Sequence, residues 1–140
     1  MFLVTDEMET RQFGISGSEV AAIDNWLEMV GARWGASEHA MFGARLCVAE
    51  LAANALEHGI KCADADHMVV TVRRLGGGID VEFLDSRAPF DPTVTPPPER
   101  DKSITAATGR GLSLLHAYAK DLKYWHDGTY NRVRLTILPE

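Results

Sequence analysis

Glu50, Asn54 and His58 recur at intervals of four in "LCVAELAANALEHG" (46–59). In a helix that interval puts an acid, an amide and an imidazole on one face. An Asn oxygen is a hard, neutral ligand suited to Mg²⁺, which takes one or two protein oxygens together with water and substrate phosphates. Glu50 is of the right type to accept a proton from an attacking water or hydroxyl. Spacing alone equally describes a solvated helix face. Asp85 ends "GIDVEFLD" (78–85), in which Ile79, Val81 and Phe83 face one way and Asp80 and Glu82 the other. A carboxylate at that strand end can accept a hydrogen bond from the exocyclic amine of a base, or cap the turn into "SRAP". "TGRGLSLL" (108–115) sets Gly109 and Gly111 before a helix whose first-turn N–H groups lack intrahelical partners, a place for phosphate. It is neither a Walker A loop nor GxGxxG, because Leu114 stands at the last position of the latter.

The elements that must hold these residues read as follows. "TRQFGI" (10–15) is a short strand. "SGSE" has the S-x-x-E form of a capping box, with Ser16 as N-cap and Glu19 at N3. Val20, Ile23, Leu27, Val30 and Trp34 then form the apolar stripe of a first helix. A second helix opens near Ser37 and stops at Gly59, a C′ position. "HMVVTVRR" (67–74) and 78–85 flank "LGGG" as a hairpin. Residues 86–109 carry five of the six prolines and form either a lid over a ligand or a solvated connector. "GLSLLHAYAK" (111–120) reads as a third helix, and 122–138 as a closing hairpin turning at Asp127-Gly128. This order predicts an α+β fold, a single-domain α/β sandwich whose mostly antiparallel sheet is covered on one face by helices.

Composition narrows the function. A net charge of −6 gives little affinity for a phosphate backbone, so direct nucleic-acid binding is not expected. No apolar run approaches the ~20 residues of a membrane helix. "MFLVTDEMETRQ" does not read as a signal peptide, so cytoplasmic residence is the expectation. Cys47 and Cys62 have no zinc-type spacing, and Cys47 reads as a buried free thiol.

Taken in order, E-L-x-x-N-A-x-x-H-G, D-x-x-x-P-F-D-P and G-x-G-L-x-L-L resemble the boxes of the GHKL (Bergerat) ATP-binding fold. Within it the chain resembles the bacterial anti-sigma factor serine kinases. "ELAANALEHG" (50–59) matches their N box, "DSRAPFDP" (85–92) their G1 box and "GRGLSLL" (109–115) their G2 box, with a lid at about 93–108 and one ATPase domain over 1–140. The resemblance implies ATP and Mg²⁺. It implies that Asn54 coordinates the metal, that Glu50 is the general base toward a protein serine, and that Asp85 reads the adenine amine. It further implies that Gly109 and Gly111 let main-chain N–H groups approach the phosphates, with Leu112 beside them; no basic residue stands immediately before Gly109, so Arg110 is the candidate side chain for a phosphate, and Arg100 and Lys102 are weaker ones. Its implied partners are a STAS-domain anti-anti-sigma protein and a sigma factor, with a homodimer as the assembly. Trp26, Trp34 and Met29 of the first helix are interface or core.

One residue departs from the pattern: Arg87 stands where the G1 box usually has glycine, and it either narrows the base pocket or swings outward. That departure motivates an alternative, a docking module of the same fold with little or no nucleotide binding. A phosphoryl donor of the histidine-kinase kind is disfavoured, since residues 1–36 contain no His.

Overall fold

The computed structural model describes residues 2–4, 7–62, 65–93 and 115–140. The expected lid with Arg100 and Lys102, and the G2-box residues Gly109, Arg110, Gly111 and Leu112, lie outside the described residues. Of the expected third helix, residues 115–118 are described and helical.

Six strands and two long helices follow the order β1 (Phe2–Val4), β2 (Met8–Gly14), α1 (Gly17–Trp34), α2 (Glu38–His58), β3 (His67–Leu75), β4 (Gly78–Asp85), β5 (Lys120–His126) and β6 (Asn131–Ile137). The strands form one antiparallel sheet in the order β1-β2-β3-β4-β6-β5. β1 was not anticipated: three residues at an edge carry too little periodicity to read. The helices cover one face, and the expected α+β sandwich is what the chain forms.

Local signals explain the boundaries. The Ser16 side chain accepts from Glu19 N–H at 3.3 Å and starts α1. The reciprocal half of the expected capping box differs. The Glu19 carboxylate accepts from Gly14 N–H (3.2 Å) instead of from Ser16, so it ties the helix start to the end of β2. Gly35 closes α1 in the left-handed region (φ +65°). Ser37 accepts from Ala40 N–H at 3.0 Å and starts α2.

Ile23, Leu27, Val30 and Trp34 of the predicted stripe are buried, and Trp26 joins them edge-on to Phe13 with ring centroids 5.7 Å apart. Trp26 and Trp34 are therefore core residues, while Met29 is 66% exposed. The inner face of α2 is built from small residues, Ala40, Gly43, Ala44, Cys47, Ala52 and Ala55, so its axis runs close over β4 and β6. A Cβ on Gly43 would come within 3.0 Å of Ile137. Burial pushes the Cys47 thiol up to about 12, which keeps it protonated and inert.

The close approach of α2 brings its last two turns over the end of β4. There the register opposes Asp85 to Asn131 of β6. On the helix-facing side of β2, Glu9 is buried and is held by the Arg33 guanidinium of α1. Arg33→Ala leaves that carboxylate without its cation and is expected to cost about 1–3 kcal/mol in urea unfolding. In a Glu9→Gln background the same substitution is expected to cost clearly less; equal costs in both backgrounds would show that the pair does not couple.

Candidate functional site

Between the last turns of α2 and the ends of β4 and β6 lies a shallow cleft, partly open to solvent. Its walls are Leu51, Asn54, Ala55 and Gly59 from α2, Phe83 and Asp85 from β4, and Asn131 and Val133 from β6. Ala88, Phe90 and Pro92 of the segment after β4 close the rim. The floor is thus apolar and flat-sided, and its polar groups are confined to Asn54, Asp85 and Asn131.

Asp85 commits one oxygen to the fold. Its Oδ1 accepts from Arg87 N–H and from the Asn131 side-chain amide, both at 3.0 Å. Among the described residues nothing donates to Oδ2, which is left for a ligand. Burial holds the Asp85 carboxyl above the ordinary aspartate range, against the hydrogen bonds from Asn131 and Arg87, which pull it down.

Asn131 was not singled out in the sequence. It is 2% exposed and makes five hydrogen bonds. Its amide nitrogen donates to Asp85 Oδ1, Arg87 O and Ala88 O, and its oxygen accepts from Phe90 N–H and the Tyr124 hydroxyl. One side chain thereby shapes the whole 85–90 turn. No local pattern marks it, because its importance comes from pairing with a strand 46 residues earlier in the chain.

Asn54, one helical turn before His58, is 7% exposed and faces the cleft. Among the described residues nothing hydrogen-bonds its side-chain amide. An almost buried amide with unspent hydrogen-bonding capacity suits a ligand atom or a cation there. No group of three or more His, Cys, Asp or Glu among the described residues is arranged to hold a metal unaided.

Glu50 lies a turn earlier on the same helix and is half-buried, but it does not line the cleft. Burial, then the like charge of Glu57, raises its carboxyl above the usual glutamate range. His58 stacks on Phe90, ring centroids 6.2 Å apart, and so supports the rim.

Arg87 does not line the cleft. It turns back beneath it, donating from Nη1 to the carbonyls of Ala55 (2.9 Å) and Gly59 (3.1 Å) at the end of α2. Gly59 is likewise not a left-handed C′ residue, since its φ is −69°. Glycine is needed for space: a Cβ would lie 2.6 Å from Arg87 Cδ and 2.5 Å from Ala55 O.

A cleft of this kind, between a helix and the end of an antiparallel sheet, with one carboxylate oxygen and one amide unspent, defines a small-ligand-binding α/β sandwich. The family model for the histidine kinase-like ATPase domain matches residues 17–137, and the chain belongs to that family. Among solved structures, the RsbU and RsbW domains of Rv1364c from Mycobacterium tuberculosis superpose with a TM-score of 0.65 at 16% identity, over 91% of this chain and 32% of that one. The histidine kinase domain of the Erythrobacter litoralis EL346 blue-light activated histidine kinase superposes with a TM-score of 0.52 at 17% identity, over 86% of this chain and 59% of that one. The chain thus spans less than two thirds of either neighbour, and identities this low establish a shared fold. No curated protein sequence matches significantly. No helix among the described residues is long and apolar enough to cross a membrane.

The raised Asp85 carboxyl has a consequence for stability. Its charged form is disfavoured in the folded state, so ionisation opposes folding at neutral pH, and this opposition fades as pH falls through the raised value. Asp85→Asn keeps an oxygen to accept from Arg87 N–H and Asn131 while removing the charge. Melting curves of the ligand-free proteins are expected to show Asp85→Asn melting at or above the wild type at pH 7, with the gap closing toward pH 4. A variant that melts well below the wild type at pH 7 would contradict this.

Proposed function

We propose that the chain is a protein serine kinase of the anti-sigma type. It would bind Mg-ATP, phosphorylate a STAS-domain anti-anti-sigma protein on serine, and sequester a sigma factor. The observation that carries this reading is the meeting of Asn54 and Asp85 in one apolar-floored cleft, each with hydrogen-bonding capacity unspent. Belonging to the histidine kinase-like ATPase domain family supports ATP as the ligand. The neighbour whose structure includes an RsbW domain supports the anti-sigma branch at the level of fold.

In this reading the adenine ring lies against Phe83, Leu51 and Val133, and its amine donates to Asp85 Oδ2. The Asn54 oxygen would hold Mg²⁺, which supplies neutralisation of phosphate charge. Residues 1–140 form the ATPase unit, with a lid at about 93–108. Gly109, Gly111 and Leu112 offer main-chain N–H groups to the phosphates, and Arg110 a guanidinium. Glu50 accepts the proton from the attacking serine hydroxyl. Its place outside the cleft suits a base that meets a protein substrate docking over the rim. Among helix-one residues, exposed Met29 remains for a homodimer contact.

The docking-module alternative was motivated by Arg87, whose side chain is engaged at the end of α2 instead of lining the cleft; this favours the nucleotide reading over it.

Phosphate transfer from ATP to a STAS-protein serine tests the roles separately. Glu50→Gln is expected to keep ATP binding and lose about 100-fold or more in transfer rate. Because the base must be ionised, wild-type transfer is expected to fall as pH drops through a midpoint above the ordinary glutamate value of 4.5. Unchanged transfer in Glu50→Gln would remove Glu50 from the mechanism.

A further inference from the structure

We propose that Arg87 is a positioning residue for the cleft: it fixes the Asn54-bearing wall against the Asp85-bearing wall, and nucleotide affinity depends on that grip. The proposal rests on the nucleotide reading above and deepens it.

Two groups of one residue act on the two walls. The Arg87 backbone N–H donates to Asp85 Oδ1 at 3.0 Å. Its Nη1 meets the carbonyls of Ala55, Leu56 and Gly59 at 2.9, 3.4 and 3.1 Å. Ala55 O also accepts from Gly59 N–H (3.2 Å), whereas Leu56 O and Gly59 O lie past the last main-chain donor of the helix, and a cation there meets the negative end of the helix dipole. Ala55 and Gly59 themselves line the cleft, and Asn54 immediately precedes Ala55. A main-chain bond from Ala88 N–H to Ile60 O, 3.0 Å, closes the same junction.

The guanidinium also lies beside a carboxylate: its Nε is 3.5 Å from Asp66, whose side chain is 3% exposed, an ion pair without a hydrogen bond at Nε. Asp66 also accepts from the Ser86 hydroxyl (3.2 Å) and from Cys62 N–H (3.1 Å). Ser86 in turn accepts from His67 N–H at 2.9 Å. The network therefore runs from the α2–β3 connection through Arg87 to the turn after β4. Gly59 and Arg87 fit each other as a pair, since any side chain at 59 would collide with the arginine stem. A planar guanidinium can address several carbonyls and a carboxylate together, whereas a lysine ammonium offers a compact point charge.

The test is calorimetric titration of Mg-ATP into the wild type, Arg87→Ala, Arg87→Lys and Asp66→Asn, with a melting curve for each. Arg87→Ala is expected to weaken ATP binding about tenfold or more, as loss of an outer-shell partner does. Arg87→Lys is expected to recover most of the melting temperature but only part of the affinity. Asp66 does not itself line the cleft, although its charge reaches the Asp85 carboxyl, so Arg87→Lys, which keeps both charges, is read beside it. Asp66→Asn is expected to weaken ATP binding in the same direction, and to add nothing in an Arg87→Ala background. Should Arg87→Ala not fold, Arg87→Lys and Asp66→Asn decide the matter. Wild-type affinity in the variants, with or without a lower melting temperature, overturns the proposal alone. Full recovery of affinity by lysine reduces Arg87 to a charge at a helix end and also overturns it. A wild type that binds no ATP overturns the nucleotide reading together with the proposal.

Discussion

The buried amide of Asn131 is the constraint on which the rest of the site depends. A side chain this deeply enclosed must satisfy both its donors and its acceptor within the protein. It does so by gathering Asp85, Arg87, Ala88, Phe90 and Tyr124 around itself. The turn after β4 therefore has one shape, and Asp85 presents one oxygen to the fold and the other to the cleft. The cost of burying that carboxylate is offset by the two donors that hold it.

The opposite wall is set by a different economy. α2 approaches the sheet closely because its inner face is small, and it ends where Arg87 meets its carbonyls. The two walls are thus positioned by forces of different kinds, van der Waals packing on one side and buried hydrogen bonding on the other. They meet at a residue that belongs in sequence to the turn and in space to the helix. What the fold leaves without a hydrogen-bond partner among the described residues is an amide on Asn54 and an oxygen on Asp85, both lining one cleft with apolar side chains.

Much of this was legible in the chain. The helix starts at Ser16 and Ser37, the stripe through Ile23, Leu27 and Val30, and both hairpins are local patterns, and each formed as its spacing indicates. The covered antiparallel sheet follows from their order. Asn54 and Asp85 stood out because their boxes are contiguous in sequence, and the two line one cleft. Asn131 was not legible, since its role arises from strand register across 46 residues. Nor was the direction of Arg87: its sequence neighbours allow it either to narrow the pocket or to swing outward, and only the position of the α2 end shows which carbonyls it meets. Gly59 was correctly seen as a helix stop, but for backbone freedom, when the physical reason is the space taken by Ala55 O and the Arg87 side chain. β1 was missed as a short edge strand, and the expected capping box was half right because Glu19 found a donor on β2. The G2-box residues fall outside the described part of the chain.

The central claim is that this cleft is an adenine-nucleotide site read by Asp85. Its most direct test is calorimetric titration of the wild-type protein with ATP and with GTP, each in excess Mg²⁺. Adenine offers an amine to the Asp85 carboxylate, where guanine offers a carbonyl oxygen that the carboxylate repels. The account predicts saturable binding of ATP at one site per chain and little or none of GTP. Equal binding of the two, or no binding of ATP, would contradict it.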